Sequence, residues 1–413
     1  MANLPSLRVQ AAGRDEIDLI LSGVEGEIFR IYRMAAVSLR EIADDYLANF
    51  IVEDRQRAQA VQDGTLSVQD YQNWRISHMA TGRRWYEAAE TMAANMTNYN
   101  QIAASTFSSH LPEVYTIGFN ADLYEFEQQL GFMTSFTMFD IDTVERLIRE
   151  APELLPSYNP PNGVDVERSM RWDKRIIASE MTQSIMQGET IEQIAGRLAG
   201  RCAGMDERAA IRTARTAFTS AENGGRYDNL QRLTRAGVKM SKTWIATLDS
   251  RTRESHRWVD GETVEKPDEE FSNGLKFPGD PDGDPEEVYN CRCTMISSYK
   301  GFEHDVMSGS RSETFPLWSR DGEFIKNVTY DEWKGDKKKH DEKVRERQAR
   351  KWAREHAINP DNPSYGYSGR NPARIDPFEA YGYATDMGDL YDTAGDTDYN
   401  NGQPIPPRKP KKK

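Results

Sequence analysis

The fold is decided by residues 242–262, K-T-W-I-A-T-L-D-S-R-T-R-E-S-H-R-W-V-D-G-E, and by residues 289–293, Y-N-C-R-C. This region gathers a tryptophan, a histidine, two cysteines and several turn-forming residues in a short length of chain. Between Asp249 and Asn290 the larger apolar side chains are few. Because such a segment cannot stay folded by apolar burial alone, we expect it to pack against the preceding helices, to be cross-linked, or both.

The two cysteines of this region, Cys291 and Cys293, are separated by one residue. A strand over Val288–Ile296 would project both thiols from the same face. His256 lies in a short polar turn from which its imidazole can meet them. Two thiolates and an imidazole suit zinc, although this cysteine spacing is tighter than that of most zinc sites.

No fourth zinc ligand is evident, and Asp249 and Asp260 are candidates only through their proximity. A structural zinc ion would contribute on the order of 10 kcal/mol to folding, which is enough to offset a small apolar core. The alternative is a pair of buried free thiols beside a hydrogen-bonded histidine, which packs without metal. The sequence leaves both alternatives open.

The acidic segment D-P-D-G-D-P-E-E, residues 280–287, places aspartates two residues apart, as a calcium loop does. Pro285 stands where such a loop requires glycine, and Cys291 stands where it requires a bidentate glutamate. We interpret the segment as an acidic turn.

Length and composition restrict the class of protein. A chain of 413 residues predicts two or three folding units. The net charge of -13 argues against a protein that coats nucleic acid over its whole surface, because phosphate binding requires a basic face. No signal-peptide pattern and no apolar run long enough to span a membrane are present. The three cysteines, Cys202, Cys291 and Cys293, are too few for a disulfide scaffold.

Helical periodicity dominates the first 160 residues. Apolar residues recur at helical spacing over Val24–Gln62 and again over Val68–Ser105. Further helices are predicted over Leu111–Gly131 and from Asp142 onward, with Phe132–Phe139 between them as a short strand or a loop. Several prolines and a glycine then break the chain near residue 160, and we place a domain boundary there.

The next part of the chain is also predicted to be helical. Two helices are expected over Val166–Gly200, the second of which begins with Thr190 and Gln193 in the capping-box relation. A further helix is expected from Asp206 to about Leu233.

Two features stand out in that further helix. Gly224 and Gly225 each cost about 1 kcal/mol relative to alanine, which indicates either a bend or the close passage of another backbone. Arg212, Arg215 and Arg226 lie broadly on one side, as a solvated face or a functional contact.

The C-terminal third combines short strands, one helix and a tail. Strand character begins at about Val238 and returns after Cys293, and a hairpin is predicted on the Asp321–Gly322 turn. A strongly charged helix then runs from a capping box at Thr329 to about Ala357. The segment that follows this helix lacks aliphatic periodicity and ends R-K-P-K-K-K, which predicts a disordered tail. The fold class expected for the chain is α+β, predominantly α.

Four elements resemble a known family. They are R-T-A-R-T-A-F-T-S-A-E-N-G-G-R at residues 212–226, the stretch Lys242–Val264, P-G-D-P at residues 278–281 and N-C-R-C at residues 290–293. In this order and spacing they resemble the phage Mu F-like head morphogenesis domain of minor head (minor capsid) proteins of tailed phages. The resemblance covers about Asp206–Ser298, with a weaker similarity in the helices from Val166.

The resemblance identifies motif residues without assigning their roles. They are Arg212, Thr213, Arg215, Asn223, Trp244, Thr247, Asp249, Arg251, Thr252, Arg253, His256, Gly261, Pro278, Gly279, Asn290, Cys291, Arg292 and Cys293. We expect most of them to hold the domain together, for example through a charge-assisted network of Asp249 with the neighbouring arginines.

The resemblance also implies a function. It implies a minor capsid component at the portal vertex that assists head assembly and DNA packaging or delivery, with portal protein, scaffold and major capsid protein as partners. Such a protein is made in the bacterial host cytoplasm and becomes part of the virion, in the head interior or at the portal vertex.

We expect four regions. Residues 1–160 form a helical region that docks on portal or capsid, and residues 161–300 carry the Mu F-like module with its core at 206–298. Residues 301–360 form the hairpin and the charged helix, and residues 361–413 form the tail.

Packaged DNA is a further expected partner, because local basic segments exist despite the acidic balance of the whole chain. The candidate contacts are the helix over Lys337–Arg350 and the terminal residues Lys409, Lys411, Lys412 and Lys413.

An enzyme is the alternative, since Mu F-like domains also accompany ADP-ribosyltransferase toxins. The sequence has no Glu-x-Glu placed after an arginine and a Ser-Thr-Ser segment, and no Gly-rich phosphate loop or HExxH motif. His256 with Cys291 or Cys293 also fits a thiol catalyst, but paired thiols beside a histidine are more typical of metal ligands or of a core. We therefore assign no catalytic residue.

Overall fold

The computed structural model describes residues 12–48, 50–79, 83–130, 133–161, 163–187, 189–248, 251–299, 317–318, 324–325 and 330–355. They form mainly helices with a small three-stranded antiparallel sheet, which confirms the predicted α+β class with a predominance of helix. Within this part of the chain, none of the helices has the length and apolarity needed to cross a bilayer. The predicted tail at 361–413 lies outside the described residues.

The described helices and strands are, in chain order, α1 (Arg14–Ala48), α2 (Ile51–Gln62), α3 (Val68–Met79), α4 (Arg83–Ser108), α5 (Leu111–Leu130), α6 (Ile141–Glu150), a 3-10 turn (Pro152–Leu154), α7 (Val166–Met186), α8 (Ile191–Arg235), β1 (Met240–Ile245), α9 (Glu254–Trp258), β2 (Thr263–Val264), α10 (Pro285–Val288), β3 (Thr294–Tyr299), β4 (Leu317–Trp318), β5 (Phe324–Ile325) and α11 (Tyr330–Glu355). Strands β4 and β5 pair as the predicted hairpin. Its Asp321–Gly322 turn, and Thr329 of the predicted capping box, lie outside the described residues.

The chain forms two compact units. The first consists of the described residues within Met1–Ile17, Pro112–Asn159 and Phe218–Lys413, and the second of those within Asp18–Leu111 and Pro160–Ala217. Each unit is therefore assembled from segments that are distant in sequence.

The predicted break between two helices near Gly200 is wrong, because α8 is one helix of 45 residues. Its start is as predicted: the Thr190 amide donates to Gln193 Oε1 at 2.8 Å, and the Gln193 amide donates to Thr190 Oγ1 at 3.3 Å. The sequence predicts that a further helix begins at Asp206, but this residue lies inside α8 and does not cap a helix. Its carboxylate accepts a hydrogen bond from Asn100 Nδ2 at 3.1 Å instead.

The first unit is built on a close crossing of α5 and α8. A Cβ atom at Gly118 would lie 2.1 Å from the carbonyl oxygen of Glu222, and one at Gly225 would lie 2.2 Å from that of Tyr115. A Cβ at Gly224 would meet the carbonyl oxygen of Ser157 at 2.8 Å. The glycines in α8 thus permit other backbones to pass close by, which is one of the two alternatives that the sequence offered.

The sheet has the order β2-β1-β3, and all its neighbouring strands are antiparallel. It shares an apolar core with α5, α8 and α11, formed by Leu123, Phe126, Phe136, Tyr227, Leu230, Leu233, Ala236, Val238, Met240, Phe277, Met295 and Trp333. The segment 133–139, predicted as a strand or a loop, is a loop beside this core.

Helix α11 packs one side against the core and exposes the other. Lys337 is fully buried, forms an ion pair with Glu127 and donates to the carbonyl oxygen of Thr134 at 2.9 Å. Trp333 Nε1 donates to the same Glu127 at 2.9 Å, and the Met138 amide donates to Asp341 at 2.7 Å. Lys337 is therefore excluded as a DNA contact.

The second unit contains a buried polar cluster. Asn100 accepts a hydrogen bond from the Tyr32 hydroxyl at 2.6 Å, and Thr97 donates to Asp173 at 3.2 Å. Burial, with an added contribution from the charge of Asp206, raises the pKa of Asp173 to about 7. This unit therefore keeps a carboxyl group that binds its proton more tightly when folded than when unfolded.

The helix crossing predicts opposite effects for two Gly→Ala substitutions in the first unit. Gly225→Ala should destabilise the protein by roughly 1–3 kcal/mol, because its Cβ would collide with backbone. Gly335→Ala, at an exposed position of α11 where a Cβ meets nothing, should stabilise it by up to about 1 kcal/mol. Urea unfolding measures both changes, and equal effects would contradict the crossing.

The buried carboxyl predicts a pH dependence. Because the folded-state pKa of Asp173 is raised from 3.8 to about 7, its contribution to stability is complete below 3.8 and is lost as the pH rises through about 7. Asp173→Asn should therefore flatten the decline in unfolding free energy between those values, whereas Glu41→Gln, at an exposed position of α1, should not. If plots of unfolding free energy against pH are parallel for wild type and Asp173→Asn across this window, the assignment is contradicted.

Candidate metal centre

The cysteines lie just before a strand and not within one. A strand over the whole of Val288–Ile296 does not form, because α10 ends at Val288 and β3 begins at Thr294, where the sequence predicts a strand after Cys293. Asp284 caps α10 by accepting from the Glu286 amide at 2.9 Å, and Pro285 occupies its first turn. Asn290 then takes the left-handed conformation, with φ of 59°, which asparagine tolerates better than most residues.

The two thiols nevertheless converge on one imidazole nitrogen. His256 lies on the one-turn helix α9, and its Nδ1 is 3.4 Å from Cys293 Sγ and 3.7 Å from Cys291 Sγ. The three ligand atoms all lie within 4.8 Å of one another. All three side chains are buried, with 1–2% of their surface exposed. The residues that the sequence singled out as metal ligands are thus brought together.

Hydrogen bonds from helix α8 fix the backbone on which the thiols stand. Thr219 Oγ1 donates to the carbonyl oxygen of Cys291 at 2.9 Å, and Asn223 Nδ2 donates to that of Cys293 at 3.2 Å. Thr247 Oγ1 donates to the intervening carbonyl of Arg292 at 2.7 Å. Each of these three successive carbonyl groups is therefore held by a side chain from elsewhere in the unit.

The pKa values of the two thiols are shifted in opposite directions. The hydrogen bond from Cys291, with a smaller effect of His256, lowers the pKa of Cys293 to about 4 against the opposing effect of burial. The same hydrogen bond and burial raise the pKa of Cys291 well above its usual range. These opposite shifts favour a single thiolate, on Cys293, and the thiolate is the form that binds metals.

A carboxylate lies on the other side of the imidazole. His256 Nε2 is 2.9 Å from Glu287 Oε2, and this oxygen also accepts a hydrogen bond from Ser255 Oγ at 2.8 Å. Trp244 packs edge-on against the imidazole, with ring centroids 5.2 Å apart. Sequence reasoning missed Glu287, because it lies in the segment interpreted only as an acidic turn.

Asp260, one of the two acidic candidates, is partly buried near the thiols. Its Oδ1 accepts a hydrogen bond from the Ala246 amide at 2.8 Å. Burial, and to a lesser extent Cys293, raises its pKa. The other candidate, Asp249, lies outside the described residues, as does the charge network predicted around it.

The motif residues within the described part of the chain are distributed between interior and surface. The buried ones are Asn223, Trp244, His256, Pro278, Gly279, Cys291 and Cys293. The partly buried ones are Arg215, Thr247, Thr252, Arg253, Gly261 and Arg292. The exposed ones are Arg212, Thr213, Arg251 and Asn290.

The helix arginines therefore do not share one environment. Arg226 is fully buried and pairs with Glu125 at 3.1 Å, whereas Arg212 is exposed and Arg215 pairs with Glu25. Asn223 makes contacts with two segments: its Nδ2 donates to the Cys293 carbonyl, and its Oδ1 accepts from the Met295 amide at 3.0 Å. One buried side chain thus links α8, the Cys293 carbonyl and β3.

The motif residues lie in a part of the chain that is similar to known proteins. Residues 175–296 match the family model described as Phage Mu protein F like protein. This part of the chain is a phage Mu F-like region. The resemblance seen in the sequence is therefore confirmed.

Two curated proteins are similar to the chain over a length greater than the Mu F-like region. It is 29% identical over 227 residues to Minor head protein GP7 of Bacillus phage SPP1, covering 54% of this chain and 69% of the relative. It is 24% identical over 226 residues to a protein of Enterococcus faecalis named NAD(+)–arginine ADP-ribosyltransferase EFV, covering 53% of this chain but only 42% of that protein. No solved structure matches the chain.

The position of Asn223 in the Mu F-like region predicts a large effect on stability. Asn223→Ala should destabilise the protein by at least roughly 1–3 kcal/mol, because it leaves the buried Met295 amide without its acceptor. Thr213→Ala, at another motif residue whose hydroxyl bonds only within its own exposed helical turn, should change stability by less than about 0.5 kcal/mol. Thermal or urea unfolding distinguishes them, and similar small losses for both would contradict a structural role for Asn223.

Proposed function

We propose that this protein is a minor head protein that binds the portal vertex and acts in phage head assembly and in DNA packaging or delivery. The observation that carries the proposal is the similarity to a phage minor head protein over 69% of that relative's length, together with the Mu F-like region. The portal, scaffold and major capsid proteins are the partners that we propose, and the phage head is the location.

Helix α1 supplies a surface suited to a protein partner. Leu19, Met34 and Val37 expose 75%, 58% and 59% of their surface in the second unit. Several large apolar side chains exposed on one helix are typical of a surface that binds another protein. This is consistent with our proposal that the N-terminal helical region docks on the portal or the capsid.

A DNA contact is proposed for the terminal lysines, Lys409, Lys411, Lys412 and Lys413, which lie outside the described residues, and for the exposed basic residues of α11, such as Lys338 and Arg345. Phosphate contacts release counterions, so binding through them should weaken steeply as salt concentration rises. Absence of binding at low salt would count against this contact.

An ADP-ribosyltransferase activity is less well supported. The alignment with the enterococcal protein leaves more than half of that protein unaligned, so the activity in its name can reside outside the shared part. A thiol catalyst at His256 is disfavoured as well, because Cys291 and Cys293 are buried and offer no surface to a substrate. Consumption of NAD by the purified protein would favour the enzyme.

The proposal predicts binding to the portal and a defect in particle formation. The full chain should co-purify with the portal protein of the same phage, and deletion of its gene should reduce the yield of infectious particles. Met34→Glu combined with Val37→Glu should abolish co-purification, because both changes place charge beside the exposed apolar side chains of α1, whereas Arg55→Ser, at an exposed position of α2, should not.

Two measurements complete this test. Circular dichroism should show that the α1 variants remain folded. Normal numbers of infectious particles from the deletion strain would contradict the proposed function, and portal binding by the double variant would contradict the proposed docking face.

A further inference from the structure

We propose that His256, Cys291 and Cys293 bind one structural zinc ion through Nδ1 and the two Sγ atoms. This inference concerns the folding of the first unit and does not depend on the proposed function. It makes a metal ion part of the Mu F-like region of this chain.

The distances between ligand atoms fit the ion. Zinc binds imidazole nitrogen at about 2.0–2.1 Å and thiolate sulfur at about 2.3 Å in tetrahedral geometry, which places nitrogen and sulfur about 3.6 Å apart. The observed separations from His256 Nδ1 are 3.4 Å to Cys293 and 3.7 Å to Cys291. These two separations would therefore have to change by only a few tenths of an ångström, and the two Sγ atoms lie within 4.8 Å of each other.

A carboxylate lies beside the second ring nitrogen of the imidazole. In protein zinc sites the second ring nitrogen of a histidine ligand commonly donates to a carboxylate, which fixes the tautomer and the ring plane. Here Glu287 lies 2.9 Å from Nε2 and is itself held by Ser255. With the proton on Nε2, the lone pair of Nδ1 is directed at the two sulfur atoms.

Free thiols satisfy this arrangement less well. Without an ion, Nδ1 can hydrogen-bond one sulfur atom while the two cysteines hydrogen-bond each other, and this pairing does not require both sulfur atoms to approach the nitrogen. A single cation bound by Nδ1 and both sulfur atoms accounts for the convergence of all three. The carbonyl groups of Cys291 and Cys293 are held by Thr219 and Asn223, so this geometry is fixed before an ion arrives.

Burial favours a structural ion over a catalytic one. The three ligands have at most 2% of their surface exposed, and Trp244 covers the imidazole. The ion would join α9 to the segment before β3 across a stretch with a small apolar core, which consists of Trp244, Ala246, Val259, Val264, Phe271, Leu275, Val288, Cys291 and Cys293. The fourth position would belong to a water molecule or to Asp260, whose Oδ1 is already engaged by the Ala246 amide.

The test uses the full chain, purified without chelators from cells grown with zinc. We expect near-stoichiometric zinc by elemental analysis and a lower unfolding temperature after chelation. Replacement by cobalt should give the visible bands of a tetrahedral ion and a thiolate charge-transfer band. Native protein that holds only trace zinc and gives no such cobalt spectrum would overturn the proposal, whether its thiols are reduced or oxidised.

Variants assign the ligands. Cys291→Ser and Cys293→Ser should each remove the thiolate band or reduce it strongly, whereas Cys202→Ser, a matched change at a buried cysteine of the second unit, should leave zinc content unchanged. Because the ligand variants risk misfolding, Glu287→Gln provides a milder test. It keeps the ligands and should weaken zinc affinity about 10- to 100-fold.

Two further outcomes are decisive. Unchanged affinity in Glu287→Gln, or zinc content that falls as much in Cys202→Ser as in Cys291→Ser, would contradict the assigned geometry. A shift of the cobalt visible bands in Asp260→Asn would identify Asp260 as the fourth ligand, and unchanged bands would identify water. Both of these last results support the proposal.

Discussion

The contact between the backbones of α5 and α8 is the constraint on which the first unit depends. Gly118 and Gly225 bring the helices so close that polar groups beside the crossing lose access to water. Since burying a polar group without a partner is costly, several polar groups beside the crossing are paired across it. Asn229 donates to Asp122 at 2.9 Å, and the Tyr115 hydroxyl donates to Asp228 at 2.6 Å. The crossing therefore fixes the rotation of α8 about its axis, and with it the direction of Thr219 and Asn223 toward the cysteine segment.

The same polar face of α8 holds together the segments that carry the motif residues. Asn223 links two segments through the Cys293 carbonyl and the Met295 amide. Arg253, on the other side of the module, donates to the carbonyl groups of Glu287 and Tyr289. These contacts hold the segment between α10 and β3, together with the ends of both elements, in place. The polar residues concentrated in this region therefore support its shape.

Sequence reasoning predicted the helices and the apolar periodicity well, because both depend on local spacing. It placed a break near Gly200 because glycine usually weakens helices, but the contact of Asp206 with Asn100, distant in sequence, could not be read from local pattern. The convergence of His256 with the cysteines was expected from residue type, although the strand invoked for it does not exist at that point. Glu287 and the burial of Lys337 depend wholly on tertiary contacts, and no local signal identifies them.

The first unit joins the beginning of the chain to segments that are synthesised much later. The carbonyl oxygen of Ala12 accepts from Arg226 at 2.7 Å, and Glu16 pairs with Lys334 at 2.8 Å. On the ribosome, residues 12–16 therefore wait for their partners until most of the chain has emerged, whereas every residue of the second unit has been made before Phe218. Folding during translation accordingly has a built-in order. The second unit, with the exposed apolar side chains of α1, is complete in sequence first, and the first unit is closed by α11, the last helix among the described residues.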